Sequence, residues 1–244
     1  MRRTKVAVAA GVALALIGPA RAQGFPDLGY MGTTIGAGGV QTAAMNNVIA
    51  SSVATHRAQP RVKAAPRAEA TATSYRATPE VAQRVRSQFA DWIVARAGAD
   101  VGRQVATAMQ GTDPVRDWAK IVSADGLRPG DAADALAGYW VLNWVIANRG
   151  DNDRAQALAA RDQVRTTMAQ SPVYTRLTEP QRQELAETLM LNFLLQQAVY
   201  VDALKRDDQA LLRKLGDAAV ARFRSEMGVD LRQLTLTRKG FVAK

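Results

Sequence analysis

The chain has 244 residues, 48% of them hydrophobic, and a formal charge of +10 at pH 7. It contains no cysteine and a single histidine, His56. Disulfides, thiolate nucleophiles and sulfur metal ligands are excluded, and Ser–His or His–metal chemistry has almost nothing to work with, so no catalytic residue, metal or cofactor is expected.

Met1-Arg2-Arg3-Thr4-Lys5 is a short cationic start, Val6 to Gly18 is an unbroken apolar or small-residue run, and Ala20-Arg21-Ala22 offers the small residues a signal peptidase accepts. At about 1.5 Å per residue the run spans roughly 20 Å, short of the roughly 30 Å hydrocarbon core, so residues 1–22 read as a secretory signal and not as a transmembrane anchor. Cleavage after Ala22 by ordinary Sec export is expected, because Thr4-Lys5 stands where a twin-arginine signal wants an apolar pair. With no cysteine to carry a lipid, the expected product is soluble, in the periplasm or secreted. Cleavage removes Arg2, Arg3, Lys5 and Arg21 and no acid, which lowers the charge from +10 to +6. The part after Ala77 is then nearly balanced, and nucleic acid is not an expected partner.

Residues 23–77 are rich in Ala, Gly, Thr, Ser and Pro, with Gly36-Ala37-Gly38-Gly39 as spacer, and read as a disordered low-complexity lead-in. Phe25, Leu28, Tyr30, Met31 and Ile35 are its few large side chains. Thr78-Pro79-Glu80 marks the start of a helical domain over residues 78–244, since a hydroxyl cap, Pro at the first position and an acid at the positive dipole end all favour a helix start. Val81, Val85, Phe89, Trp92 and Ile93 recur at helical spacing up to Gly98, and Val101, Val105 and Met109 continue the pattern beyond it. Asp113-Pro114 opens a short helix carrying Val115, Trp118, Ile121 and Val122, which Gly126 ends.

Asp131 starts a helix apolar on more than one face, through Leu136, Tyr139, Trp140, Leu142, Val145 and Ile146, and such breadth predicts deep burial. Asn148-Arg149-Gly150 closes it. Asp151-Asn152-Asp153 lacks the glycine and terminal glutamate of a calcium loop and reads as a cap for a thinner, peripheral helix to Gln170, broken at Pro172. Thr178-Glu179-Pro180 opens a long helix to about Arg206 that is apolar nearly all round. Asn192, Gln196, Gln197 and Asp202 interrupt it, which predicts the central helix of a bundle and not a membrane span. A last helix bears Leu211, Leu212, Leu215, Ala219, Val220 and Phe223 and ends at Gly228. Leu231, Leu234, Leu236 and Phe241 then alternate with polar residues in a tail placed to pack on the bundle. The fold class expected is all-α, a bundle of six to seven helices.

Two carboxylate pairs, Glu184 with Glu187 and Asp131 with Asp134, lie one helical turn apart, and both sit where acids simply favour the helix dipole. The stretch Tyr139-Trp140-Val141-Leu142-Asn143-Trp144 stands out because amides accompany the aromatics. If Asn143, Asn148, Asn192 and Gln196 face inward they must find partners, since an unsatisfied buried amide costs roughly 1 to 3 kcal/mol. Two readings stay open. One is a structural network; the other is a small polar pocket for a ligand or peptide, with Tyr139, Trp140, Asn143, Trp144, Asn192, Gln196 and Tyr200 as its candidate residues.

From Thr78 to Phe241 the chain resembles a family of uncharacterised, exported proteobacterial proteins with a domain of unknown function. The likeness rests on Asp117-Trp118, on Ala133 to Trp140, on Gln181 to Glu187, on Met227 to Leu231, and on Leu234 to Thr237 with Gly240-Phe241. It implies a signal peptide, a variable lead-in and a helical domain, and it carries no assigned activity. The functional expectation is an exported non-enzymatic module that binds a protein or envelope component. The alternatives are a cell-wall glycan hydrolase using Glu184 and Glu187, and adhesion to anionic polymers through Arg57, Arg61, Lys63, Arg67 and Arg76.

Overall fold

The computed structural model describes residues 73–244. The expected signal segment and the lead-in through residue 72, including His56, lie outside the described residues.

Eight α-helices are present among the described residues: α1 Pro79–Ala97, α2 Ala99–Gln110, α3 Pro114–Val122, α4 Ala132–Asn148, α5 Arg154–Gln170, α6 Pro172–Thr175, α7 Glu179–Lys205 and α8 Gln209–Met227. The one beyond expectation is α6. Pro172 does break α5, yet it also fits the first position of a new single turn, whose start Ser171 caps through the Tyr174 N–H. Several other starts are fixed as the sequence suggests. Asp113 accepts from the Arg116 N–H and Asp131 from Ala133, whereas Thr78 stands before α1 without a side-chain cap bond and Asp208, which the sequence reading did not single out, caps α8 through the Leu211 N–H. Asp153 and Gln156 form a reciprocal capping box with both bonds at 2.8 Å, so the acidic tripeptide is the cap it resembles.

The end of α4 departs from the expectation in one detail. The left-handed position belongs to Arg149, at φ +50°, and not to Gly150. Gly150 is required for another reason: a Cβ there would stand 2.9 Å from the Trp144 ring.

α7 is the central helix. It is buried continuously from Leu185 to Val201 and packs against α1, α3, α4 and α8. α4 is buried without a break from Ala132 to Asn143, while α5 buries mainly one stripe containing Ala157, Ala160, Val164 and Met168. The core falls into two clusters. The larger is built on Trp118, Tyr139, Trp140, Leu189, Met190, Phe223 and Phe241; the smaller joins α1 and α2 to Leu191 and Leu195 of α7.

After a 3-10 turn at Leu231–Gln233, the tail forms an antiparallel hairpin, β1 Leu234–Thr237 and β2 Gly240–Ala243, with Leu236 opposite Phe241. The sequence placed these residues on the bundle but did not show a strand. Strands this short offer only two inward positions each, too few to register as an alternating pattern.

Candidate functional site

The expected pocket residues divide into three groups. Tyr139 and Asn143 on α4 meet Gln196 on α7 around a residue that sequence reading passed over, Arg222 of α8. The Arg222 Nη2 donates to Asn143 Oδ1, and lies 3.4 Å from Gln196 Oε1. Asn143 Nδ2 in turn donates to the Tyr139 carbonyl at 2.8 Å. The Tyr139 hydroxyl lies beside Arg222 and Gln196, and burial raises its pKa while the Arg222 charge opposes the rise. Tyr139 and Asn143 have no exposed surface, and Arg222 is 4% exposed. A guanidinium so deep in a bundle must be met by oxygen acceptors, and the amides supply them.

Trp140 belongs to an aromatic cluster. Its ring lies edge-on to Phe223 at 4.9 Å and 5.6 Å from Phe241, and Tyr139 stacks on the same Phe223 at 5.8 Å. Trp144, one turn along α4, faces the hairpin and donates its indole N–H to the Leu234 carbonyl at 3.0 Å. Asn148 extends that contact by donating to the Leu231 carbonyl at 3.1 Å.

Asn192 bonds within its own helix, to the Thr188 carbonyl at 2.9 Å. Tyr200 lies two turns past Asn192 on α7, near the charges of Arg149 and Asp151, and burial raises its hydroxyl pKa. The structure thus brings Tyr139, Asn143 and Gln196 together around Arg222 and turns Trp144 to the hairpin, so the seven candidates do not share one set of partners. A cavity of about 10 Å³ is present elsewhere, between α1, α2, the start of α3 and α7, lined by apolar groups of Phe89, Val105, Met109, Leu191, Leu194 and Leu195. That is room for about one water.

A second polar centre sits at the other end of α4. Asp131 and Asp134 are drawn together by Arg165 of α5, which donates to Asp131 Oδ2 at 2.7 Å and to Asp134 Oδ1 at 3.1 Å. Asp134 also accepts from the Arg128 N–H at 2.9 Å. Burial and the charge of Asp131 push the Asp134 carboxyl up to about 6, against the Arg128 N–H and the guanidiniums of Arg161 and Arg165. Glu184 and Glu187 are not brought face to face: Glu184 pairs with Arg84 of α1 at 3.1 Å, whereas Glu187 is buried and accepts from Gln183 at 2.8 Å. Burial raises the Glu187 carboxyl too.

The model of a family of unknown function, DUF6683, matches the chain over residues 1–244. The chain belongs to that family. No curated protein and no solved structure matches it. Among the described residues, no three His, Cys, Asp or Glu side chains are grouped to hold a metal ion, and no helix is long and apolar enough to cross a membrane. Two features central to these sites escaped sequence reading. Arg222 did leave a signal, an arginine on the apolar stripe of α8 one turn from Ala219, but a single charge at the edge of a stripe is ordinarily read as reaching out to solvent. Thr73, whose hydroxyl donates to Asp131 and accepts from Arg165, and Tyr75, whose N–H donates to the Gly130 carbonyl, left none, because their partners are far along the chain.

Proposed function

We propose that this protein is an exported, non-enzymatic helical module of the proteobacterial envelope that binds a protein or an envelope component through the surface of its bundle. Export follows from the cationic start, apolar run and Ala20-Arg21-Ala22 site, which predict cleavage after Ala22 and a soluble periplasmic or secreted product. The observation that carries the binding assignment is the burial of the Tyr139–Asn143–Arg222 network: Tyr139, Trp140 and Asn143 have no exposed surface, so recognition falls to the outside of the bundle. Glu184 is engaged by Arg84 and the buried Glu187 by Gln183, and both stand on one helix rather than across a cleft, which supports the binding reading over the glycan hydrolase alternative.

Two measurements test the reading. Intact mass of the protein recovered from a periplasmic or culture fraction is expected to begin at Gln23; a full-length chain confined to the cytoplasm overturns export. Affinity capture from envelope extract, with the mature chain and with a form lacking residues 23–72, is expected to recover a saturable, competable partner. Capture of nothing above background by either form counts against the module.

A further inference from the structure

The chain enters the domain at Thr73, the end of a helical stretch, and runs as a strap to Thr78 across the ends of α4, α5 and α7, held by its main chain and by the side chains of Thr73 and Tyr75. The Thr73 carbonyl accepts from the Tyr174 hydroxyl at 3.4 Å, and the Ser74 carbonyl accepts from Arg182 Nε at 3.0 Å. The Tyr75 N–H donates to the Gly130 carbonyl at 2.9 Å, and Ser74 forms a bridge of antiparallel type with Asp131. The Arg76 N–H donates to Glu179 at 3.3 Å, and the Gln183 amide takes both the N–H and the carbonyl of Thr78, each at 2.9 Å.

Side chains alternate along the strap. Thr73 and Tyr75 are 0% and 8% exposed, whereas Ser74 is half-buried and Arg76 is exposed. The Thr73 hydroxyl fits between Asp131 and Arg165, donating to the first at 3.1 Å and accepting from the second at 3.3 Å. The Tyr75 ring enters the main core. Main-chain bonds for affinity and pockets for alternate side chains for selectivity are how a sheet edge or groove recognises a peptide. The hydrogen-bond partners named above all come from residues 130–183, after α1 and α2 in the sequence.

We propose that this groove is a peptide-binding site, filled in cis by Thr73–Thr78 and open, when the strap leaves, to a segment of a protein partner that carries a small hydroxyl residue two positions before a tyrosine. The proposal rests on the binding-module reading above and gives it a site and a ligand class. The strap is the ligand whose fit is visible, and its own pattern defines the partner's. A tethered strap competes at an effective concentration in the millimolar range, so a partner engages only by displacing it or by presenting its segment at high local concentration.

The test uses the mature full-length chain and an end-blocked, fluorescently labelled peptide of residues 73–78. A Tyr75→Ala chain, its own strap weakened, is expected to bind the peptide saturably, with competition by unlabelled peptide. The same peptide with Tyr75→Ala is expected to bind at least about tenfold more weakly, and the wild-type chain to take the labelled peptide at least about tenfold more weakly than the variant does. A variant that melts cooperatively but binds no peptide overturns the proposal. Where Tyr75→Ala does not fold, amide exchange of the wild-type chain decides: the Tyr75 and Thr78 amides are expected to exchange together and faster than those of α4 and α7, through release of the strap, and exchange only at the rate of global unfolding overturns the proposal. An envelope partner captured equally by wild-type, Tyr75→Ala and Arg182→Ala chains removes the groove while leaving the binding module standing.

Discussion

Gln163 of α5 accepts from the Phe241 N–H at 2.7 Å and donates to the Phe241 carbonyl at 3.1 Å, so one amide side chain stands where a third strand would lie beside the hairpin. Gln156 adds a bond to the Leu236 carbonyl at 2.9 Å, and Trp144 one to Leu234 at 3.0 Å. Backbone groups that the two-stranded ladder leaves open are thus satisfied from the helices, and the hairpin edge is closed to pairing with another chain.

Removing that amide should therefore be costly for an apparently ordinary glutamine. Gln163→Ala leaves a buried N–H and a buried carbonyl without partners, at about 1 to 3 kcal/mol each. The expected loss is roughly 2 to 6 kcal/mol in chemical denaturation. Gln163→Glu keeps an acceptor for the N–H but faces the carbonyl with a second oxygen, so it should not restore the wild-type midpoint. Wild-type stability in the alanine variant would mean that water or a shift of β2 satisfies Phe241.

Arg222 offers a test of whether the buried network is a stability device. Arg222→Met strands the oxygens of Asn143 and Gln196 in the core, at a cost of about 1 to 3 kcal/mol each. Replacing the whole set, Arg222→Met with Asn143→Leu and Gln196→Leu, is expected to recover most of that loss, because an apolar core of similar volume needs no hydrogen bonds. A triple variant that unfolds at a lower denaturant concentration than the single one would show that the polar set does more than satisfy itself.

The pH dependence has a definite sign. Asp134 is raised to about 6 by burial and by Asp131, above the roughly 3.9 of an unfolded chain. The folded protein holds this proton more tightly, so the ionised group costs stability above about pH 6 and the cost fades as pH falls from about 6 toward 4. Glu187 and Asp125, also raised by burial, tilt the curve the same way. Asp134→Asn is expected to remove about 1.4 kcal/mol of the rise in stability between pH 8 and pH 5, the worth of the one pH unit below the folded value of about 6. Parallel curves for variant and wild type would assign the titration to another group.

Two glycines should respond in opposite directions. At Gly216 a Cβ would lie 3.2 Å from the Ile146 carbonyl oxygen, a backbone atom of α4 that cannot turn aside, so Gly216→Ala should push α8 off α4 and cost about 1 to 3 kcal/mol. Gly111, with φ −87° and nothing within 4 Å of the same position, should gain about 0.4 to 1 kcal/mol from Gly111→Ala through the unfolded chain. Differential scanning calorimetry of both variants reads the contrast; equal shifts would contradict the close packing at Gly216.

The helices, their caps and the centrality of α7 were legible in the sequence because each is governed by neighbours within a turn. Asp113, Asp131 and Asp153 cap helix starts, Thr78 marks one with Pro79 at the first position and no side-chain cap bond, and the apolar breadth of α4 and α7 matches their burial. The amides Asn143 and Gln196 were legible as inward polar groups, since they sit among apolar residues on both sides. Their partner was not. Asn143 and Arg222 are 79 positions apart, and which charged residue comes to meet a buried amide depends on how α8 lies on α4.

By itself, the sequence determined an all-α bundle, most of its helix starts and its central helix, all of which follow from composition and short-range spacing. Only the tertiary structure decided that the candidate pocket residues part company, that Arg222 sits among them, that Gln163 completes the hairpin and that Thr73–Thr78 occupies a groove. Each of these is a contact between residues many turns apart. The hydrogen-bonding capacity of a side chain is written in its chemistry, but the group that meets it is set by the packing of helices.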